Sequence, residues 1–307
     1  MSALDGETEE HAMSFRLEML QVARLAPGVL GSAAELVTAF LRRTRTKEGA
    51  WPDREGRPDL YYTVFGVEGL LALRVEEDHG VLAEWLRGHG DGEGLDFVHL
   101  CCLARCWAAL PSVFRPEAEV KEGIAARLEA WRTPDGGFHQ RAGSGRCTAY
   151  GCLLGWAALG DLGLVPAGAE AIAGCLESLK AVDGGYANEL GLPFGTTTAT
   201  AAAVSLHRLL RRTPPVELGA WLLAQRHPGG GFKAFPEAPI PDLLSTAVAL
   251  HALDGLQCSF AADRDALLDF TDSLWSADGG FHGNWTDDAL DVEYTYYGLL
   301  ALGHLAF

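Results

Sequence analysis

Apolar positions fall into two kinds of segment that alternate along the chain. One kind, rich in Ala, Gly, Thr and Leu, is apolar on nearly every face: 59–74, 96–110, 146–159, 196–210, 241–253 and 291–305. Such segments predict helices buried on both sides. The other kind, 81–87, 116–132, 167–180, 216–225 and 264–274, gathers its apolar residues on one face, as a half-buried helix does. Upstream, the spacing of Phe15, Leu17, Leu20, Val22, Leu25 and Leu30 predicts a first helix, and 34–43 a second.

A glycine motif separates the two kinds. It reads Gly136-Gly137-Phe138, Gly184-Gly185-Tyr186, Gly230-Gly231-Phe232 and Gly279-Gly280-Phe281, with weaker copies at 48–51 and 92–95. Taking the closing apolar residues Trp51, Leu95, Phe138, Tyr186, Phe232 and Phe281 as markers, the spacings are 44, 43, 48, 46 and 49 residues. That period holds a helix pair and two turns. Paired glycines permit the positive φ of a tight reversal, and the aromatic that follows can plug the gap between neighbouring pairs. Asp59, Asp242 and Asp291 open fully apolar segments, where a carboxylate caps free amides at the positive end of the helix dipole. A fully buried set alternating with a half-buried set implies two concentric layers, hence an all-α, double-layered barrel of six helix pairs. An open solenoid uses the same ingredients, so the pattern leaves closure undecided.

Composition narrows the function. The 307 residues are 48% hydrophobic, and 24 basic against 41 acidic residues give a formal charge of −17, which disfavours nucleic acid and anionic lipid as partners. The seven cysteines mostly lie in apolar segments and form no CxxC pair; they read as buried free thiols in a reducing cytoplasm. One domain is expected over 13–307, after an acidic, flexible segment at 1–12 without a signal-peptide pattern. The longest uncharged apolar stretch, 147–160, is too short to span a bilayer.

The pairing of the glycine motif with a D-x-x-x-T-x-x-G-L helix, clearest at 59–70 and 291–300, resembles the β subunits of protein prenyltransferases, above all the Rab geranylgeranyl transferase type. More distantly it is similar to squalene-hopene and other class II terpene cyclases. The resemblance runs from about Gly49 to the C-terminus. It implies an α/α-toroid around an aromatic-lined cavity for an isoprenoid or other long apolar molecule, and a helical-repeat protein partner.

The family's chemistry carries over only in part. The zinc of the transferases is held by Asp-x-Cys at the fifth inner helix and a histidine in the sixth; here those positions read Asp242-Leu243-Leu244 and Tyr294. No metal site is expected from them, although Glu293 or His251 offers donors for a rearranged one. Where the family cradles diphosphate, the fourth loop has Phe194, and the fifth has Lys233 with Phe235 and Ala238 near the basic positions. Arg146 matches a cavity arginine of the family, and Arg141 lies close in sequence. The D-x-D-D acid of the cyclases is absent, which leaves Asp242, Asp291, Glu293 and Tyr294 as the candidate reactive positions. Tyr61, Tyr62, Trp107, Tyr150 and Tyr297 are candidates to line the pocket, where aromatic faces favour cations. Three functions stay open: prenyl transfer, carboxylate-initiated cyclisation, and a protein-binding scaffold.

Overall fold

The computed structural model describes residues 14–307; the acidic segment at 1–12, expected to be flexible, lies outside them. Along the described residues run α1 (Phe15–Ala23), α2 (Ala26–Leu30), α3 (Ala33–Thr44), α4 (Leu60–Ala72), α5 (Gly80–Arg87), α6 (Phe97–Ala109), α7 (Ala118–Glu129), α8 (Ala149–Asp161), α9 (Ala169–Ser178), α10 (Thr197–Leu209), α11 (Glu217–Ala224), α12 (Leu243–Gly255), α13 (Arg264–Ser273) and α14 (Val292–His304). The even-numbered helices from α4 to α14 are the fully apolar segments. Each packs on the next, and α14 packs back on α4, so the inner layer is a closed ring. Helices α3, α5, α7, α9, α11 and α13 form the outer layer of this α/α-toroid.

One hydrogen-bond unit explains the repeated sequence motif. The amide of the aromatic residue donates to a threonine hydroxyl on the inner helix: Trp51 to Thr63, Tyr186 to Thr200 and Phe232 to Thr246 at 2.9 Å, and Phe281 to Thr295 at 3.3 Å. Thr63, Thr246 and Thr295 in turn donate to the carbonyls of Asp59, Asp242 and Asp291, whose carboxylates cap the helices. Aspartate and threonine four residues apart therefore serve the buried backbone, which would cost free energy if left unpaired. The glycine three residues beyond that threonine, or beyond Cys152 in the third repeat, makes room for the ring. A Cβ on Gly66 would stand 2.1 Å from Trp51, and on Gly155 or Gly298 it would stand 2.7 or 2.8 Å from Phe138 or Phe281.

The expected first helix is broken. Pro27, which has no amide to donate, sits in the first turn of a new helix, so α1 ends at Ala23 and α2 begins at Ala26. Freed from the outer layer, α1 packs on α14, α4 and α8. It covers the end of the ring where the inner helices finish: Arg24 Nε donates to Leu71 O at the end of α4, and Arg208 near the end of α10 pairs with Glu18 at 3.0 Å. This end is the floor of the toroid; the opposite end, with the helix caps and glycine loops, is the rim. Among the described residues no helix is long and apolar enough to cross a membrane.

Candidate functional site

The ring encloses a central cavity of about 500 Å³, within the range of small-molecule sites. Its wall is mostly apolar. Tyr61, Phe65, Tyr150 and Tyr297 present aromatic faces, with Leu153, Leu154 and Val248 between them. These side chains converge because each inner helix, lacking a polar face, turns one side to the outer layer and the other to the ring axis. The Phe65 ring lies 5.1 Å from that of Tyr61 and 5.4 Å from that of Tyr297, an edge-to-face and tilted cluster of the kind that favours aromatic pairs.

The floor is charged. Arg16 of α1 and Arg105 of α6 both approach Glu68 Oε1, at 3.3 and 3.6 Å, and Glu68 is completely buried. Arg16, Arg105 and Asp161 face the cavity. Two cations thus share one carboxylate, and Arg16 Nε and Arg105 Nη2 have no hydrogen-bond partner among the described residues. Burial pushes the Asp161 carboxyl up to about 6, against the pull of Arg105 and Arg16. His251, also on the cavity wall, is pushed down to about 3 by burial, so it is neutral; its Nδ1 lies 3.2 Å from His304 Nε2.

The rim holds Tyr61, Glu293, Arg54 and Asp291. The Tyr61 hydroxyl donates to Glu293 Oε1 at 2.6 Å, and burial raises the Glu293 carboxyl to about 7. Arg54 pairs with Asp291 at 2.9 Å and Asp287 at 3.3 Å, and its guanidinium lies over the Tyr294 ring.

Of the residues singled out from sequence, Tyr61, Tyr150 and Tyr297 line the cavity. Glu293 reaches its edge through Tyr61. Asp242 and Asp291 are spent on capping, their carboxylates accepting from Ser245 N at 2.7 Å and Tyr294 N at 3.0 Å. Tyr294 packs against Gly283 and Tyr62 lies beside Arg54, both outside the cavity wall. Trp107 is 2% exposed and lies in the core rather than on the wall. Arg141 and Arg146 are exposed on the loop before α8 and make no side-chain bond among the described residues, while Lys233 Nζ donates to Pro236 O in its own loop. The rings of Phe194 and Phe235 stack 5.9 Å apart where the resemblance would place a diphosphate cradle. Arg16, Glu68, Arg105 and Asp161 were missed by sequence reasoning. The available signal was Glu68 and Arg105, two charges inside segments otherwise apolar all round.

The family's zinc does not fit here. Asp242 is engaged by its own helix, Leu244 gives the cavity an apolar face, and Tyr294 offers no suitable donor. His251 cannot rescue the site. It stands nine residues along α12 from Asp242, about 13 Å at 1.5 Å per residue, and belongs to the floor.

The model of the prenyltransferase alpha-alpha toroid domain matches residues 138–306, more than half of the chain. The chain belongs to that family. A comparison with curated proteins finds no match. Among solved structures, this prenyltransferase-type toroid is similar to the apo type II terpene cyclase MstE from Scytonema, at 14% identity and TM-score 0.60, covering 90% of this chain and 97% of that one. A substituted MstE in complex with geranylgeranyl dihydroxybenzoate matches with 14% identity, TM-score 0.58, and 94% and 97% coverage. A protein from Actinoplanes matches at 16% identity and TM-score 0.58, with 90% and 99% coverage. At such identities these likenesses bear on the fold.

Proposed function

We propose that the toroid binds one isoprenoid chain in its central cavity, with an acidic end group held at the floor by Arg16 and Arg105. The observation that carries this reading is the combination of an apolar, aromatic wall with two arginines whose donors are not all used. A hydrocarbon tail gains by leaving water for such a wall, and a carboxylate fits two guanidinium groups better than one shared glutamate does. Asp161 makes room for the added negative charge by taking up a proton, since its carboxyl already stands at about 6. With Asp161 protonated, Arg16 and Arg105 outweigh Glu68, so the floor favours the acid end and disfavours a developing carbocation, which directs the alkene tail towards the rim. MstE, with a similar fold, was solved with an isoprenoid that carries an acid-bearing ring, which supports the substrate class.

Titration calorimetry with a linear C20 isoprenoid carboxylic acid tests the reading. One site per chain is expected, weakened about tenfold or more by Arg105→Met; no binding, or binding indifferent to that change, would sink it.

Cyclisation is the second reading, favoured by one observation. Glu293, raised to about 7 and bonded to Tyr61, keeps much of its proton at neutral pH at the end of the cavity that the alkene tail would reach. Incubation with linear isoprenoid acids should then yield a cyclised product from the wild type and none from Glu293→Gln. Transfer to a zinc-bound thiolate has no such support, given Leu244 and Tyr294.

A further inference from the structure

Three cysteines, two from the start of α8 and one from α9, meet under the third glycine loop. Cys147 precedes the cap of α8, Cys152 lies in its first turn and Cys175 is on the outer helix α9. Their sulfurs all lie within 4.8 Å of one another, and the three residues are 3%, 0% and 3% exposed.

The place is unusual within this chain's own repeat. Beneath the second glycine of the other complete motifs sits an aromatic ring from the outer layer: Trp221 under Gly185, Phe270 under Gly231 and Phe40 under Gly280. Under Gly137 the same space is filled by Cys147, Cys152 and Cys175. Cys152 also stands four residues after the cap Thr148, where Thr63, Thr200, Thr246 and Thr295 stand in four other repeats. The third repeat thus exchanges a ring and a threonine for thiols at one point, the spot where α9 is fastened to α8.

We propose that Cys147, Cys152 and Cys175 bind one Zn²⁺ ion as thiolates, which fastens the outer helix α9 to the inner ring. The spacing suits it. Sulfurs about 2.3 Å from a tetrahedral zinc lie about 3.8 Å apart, and the three here lie within 4.8 Å of one another. Binding releases the three thiol protons to solvent and leaves one net negative charge, whereas a monovalent soft ion would leave two in a buried place. Asp135 stands beside the cluster: its carboxylate accepts from Cys147 N at 3.1 Å and from Thr133 Oγ1 at 2.5 Å, and its backbone carbonyl lies 3.5 Å from Cys175 Sγ. Arg132, paired with Glu129, ties the same loop by donating to Gly136 O at 2.9 Å. Because the thiols are closed off from solvent, the ion is taken up as the chain folds. This site lies outside the central cavity and is separate from the zinc position ruled out at Asp242.

The full chain, expressed with zinc supplementation and passed over a metal-free column, is expected to carry one zinc per chain by native mass spectrometry. Cys152→Thr and Cys175→Phe restore the residues used by the other repeats, so both variants should fold and both should lose the zinc. With Co²⁺ in place of zinc, the wild type should show intense near-ultraviolet sulfur-to-metal bands that either variant lacks. A metal-free wild type, zinc retained by a folded Cys152→Thr protein, or a disulfide among the three cysteines would each overturn the proposal.

Discussion

The Tyr61 hydroxyl donates to Glu293 Oε1 at 2.6 Å, joining the first inner helix to the last across 232 residues. Together with the Arg54–Asp291 pair it lies on the seam that makes the toroid a closed ring rather than an open solenoid. A sealed ring with α1 across the floor encloses a cavity, and a cavity with two chemically different ends can orient a ligand.

Glu293 makes stability depend on pH. Its carboxyl stands at about 7 in the folded protein against an ordinary 4.5, so the folded state holds the proton more tightly. Stability is therefore expected to rise as pH falls from about 7 to 4.5, and to be lost in the opposite direction, by at most about 3 kcal/mol. Glu293→Gln should remove this dependence and raise the melting temperature at pH 8. An unchanged profile, measured by thermal unfolding across pH 4.5–8, would contradict the role of burial.

His99 acts with the opposite chemistry and in an adjoining window. Bonded to Asp59 and Asp96 at about 3 Å, it is raised from 6.5 to about 9. Its contribution is fully present below pH 6.5 and lost as pH rises through 9. Because the imidazole is a third exposed, screening reduces the effect to about 1 kcal/mol. His99→Gln should flatten the unfolding free energy between pH 6.5 and 9.

The threonine of the repeat is a backbone partner. Thr63→Val leaves the buried Trp51 amide without its acceptor and should cost about 1–3 kcal/mol, while Thr63→Ser should cost less. Gly66→Ala should be worse than either, since its Cβ would enter the Trp51 ring. Urea unfolding of the three variants gives the order directly; equal stabilities would show that the motif is ornamental.

Asp291 combines a cap and a seam ion pair, and two substitutions separate them. Asp291→Asn keeps an oxygen for the Tyr294 amide and loses the charge opposite Arg54; Asp291→Ala loses both. Because Arg54 is half exposed, the pair contributes less than about 1 kcal/mol, and the cap about 1 kcal/mol more. Asparagine should therefore recover most of the stability in chemical denaturation.

The two-layer toroid was legible in the sequence because glycine, aspartate and threonine each serve a local backbone need at a fixed spacing. Trp51, Phe138 and Phe281 could be read as plugs from their place after the glycines alone. Closure was legible only through the family resemblance and not from the periodicity, since the Tyr61–Glu293 and Arg54–Asp291 contacts join the two ends of the repeat array. Nor was the floor. Arg16 looks like an ordinary surface charge on a short N-terminal helix, and only the break at Pro27 lets that helix turn across the ring to meet Glu68, Arg105 and Asp161. The candidates near the glycine loops, Arg141, Arg146 and Lys233, were chosen by position in the repeat, whereas the cations that face the cavity come from α1 and α6. Cys147, Cys152 and Cys175 show the same limit, having no motif spacing between them.

The most direct test is to measure, by calorimetry at pH 6 and pH 8, how tightly the protein binds a linear C20 isoprenoid acid and the matching alcohol. The acid should bind one per chain and more tightly than the alcohol. Its affinity should rise severalfold at the lower pH as Asp161 takes up a proton, and that gain should vanish in Asp161→Asn. Equal affinity for acid and alcohol, unaffected by pH or by Arg105→Met, would contradict an acid-binding floor.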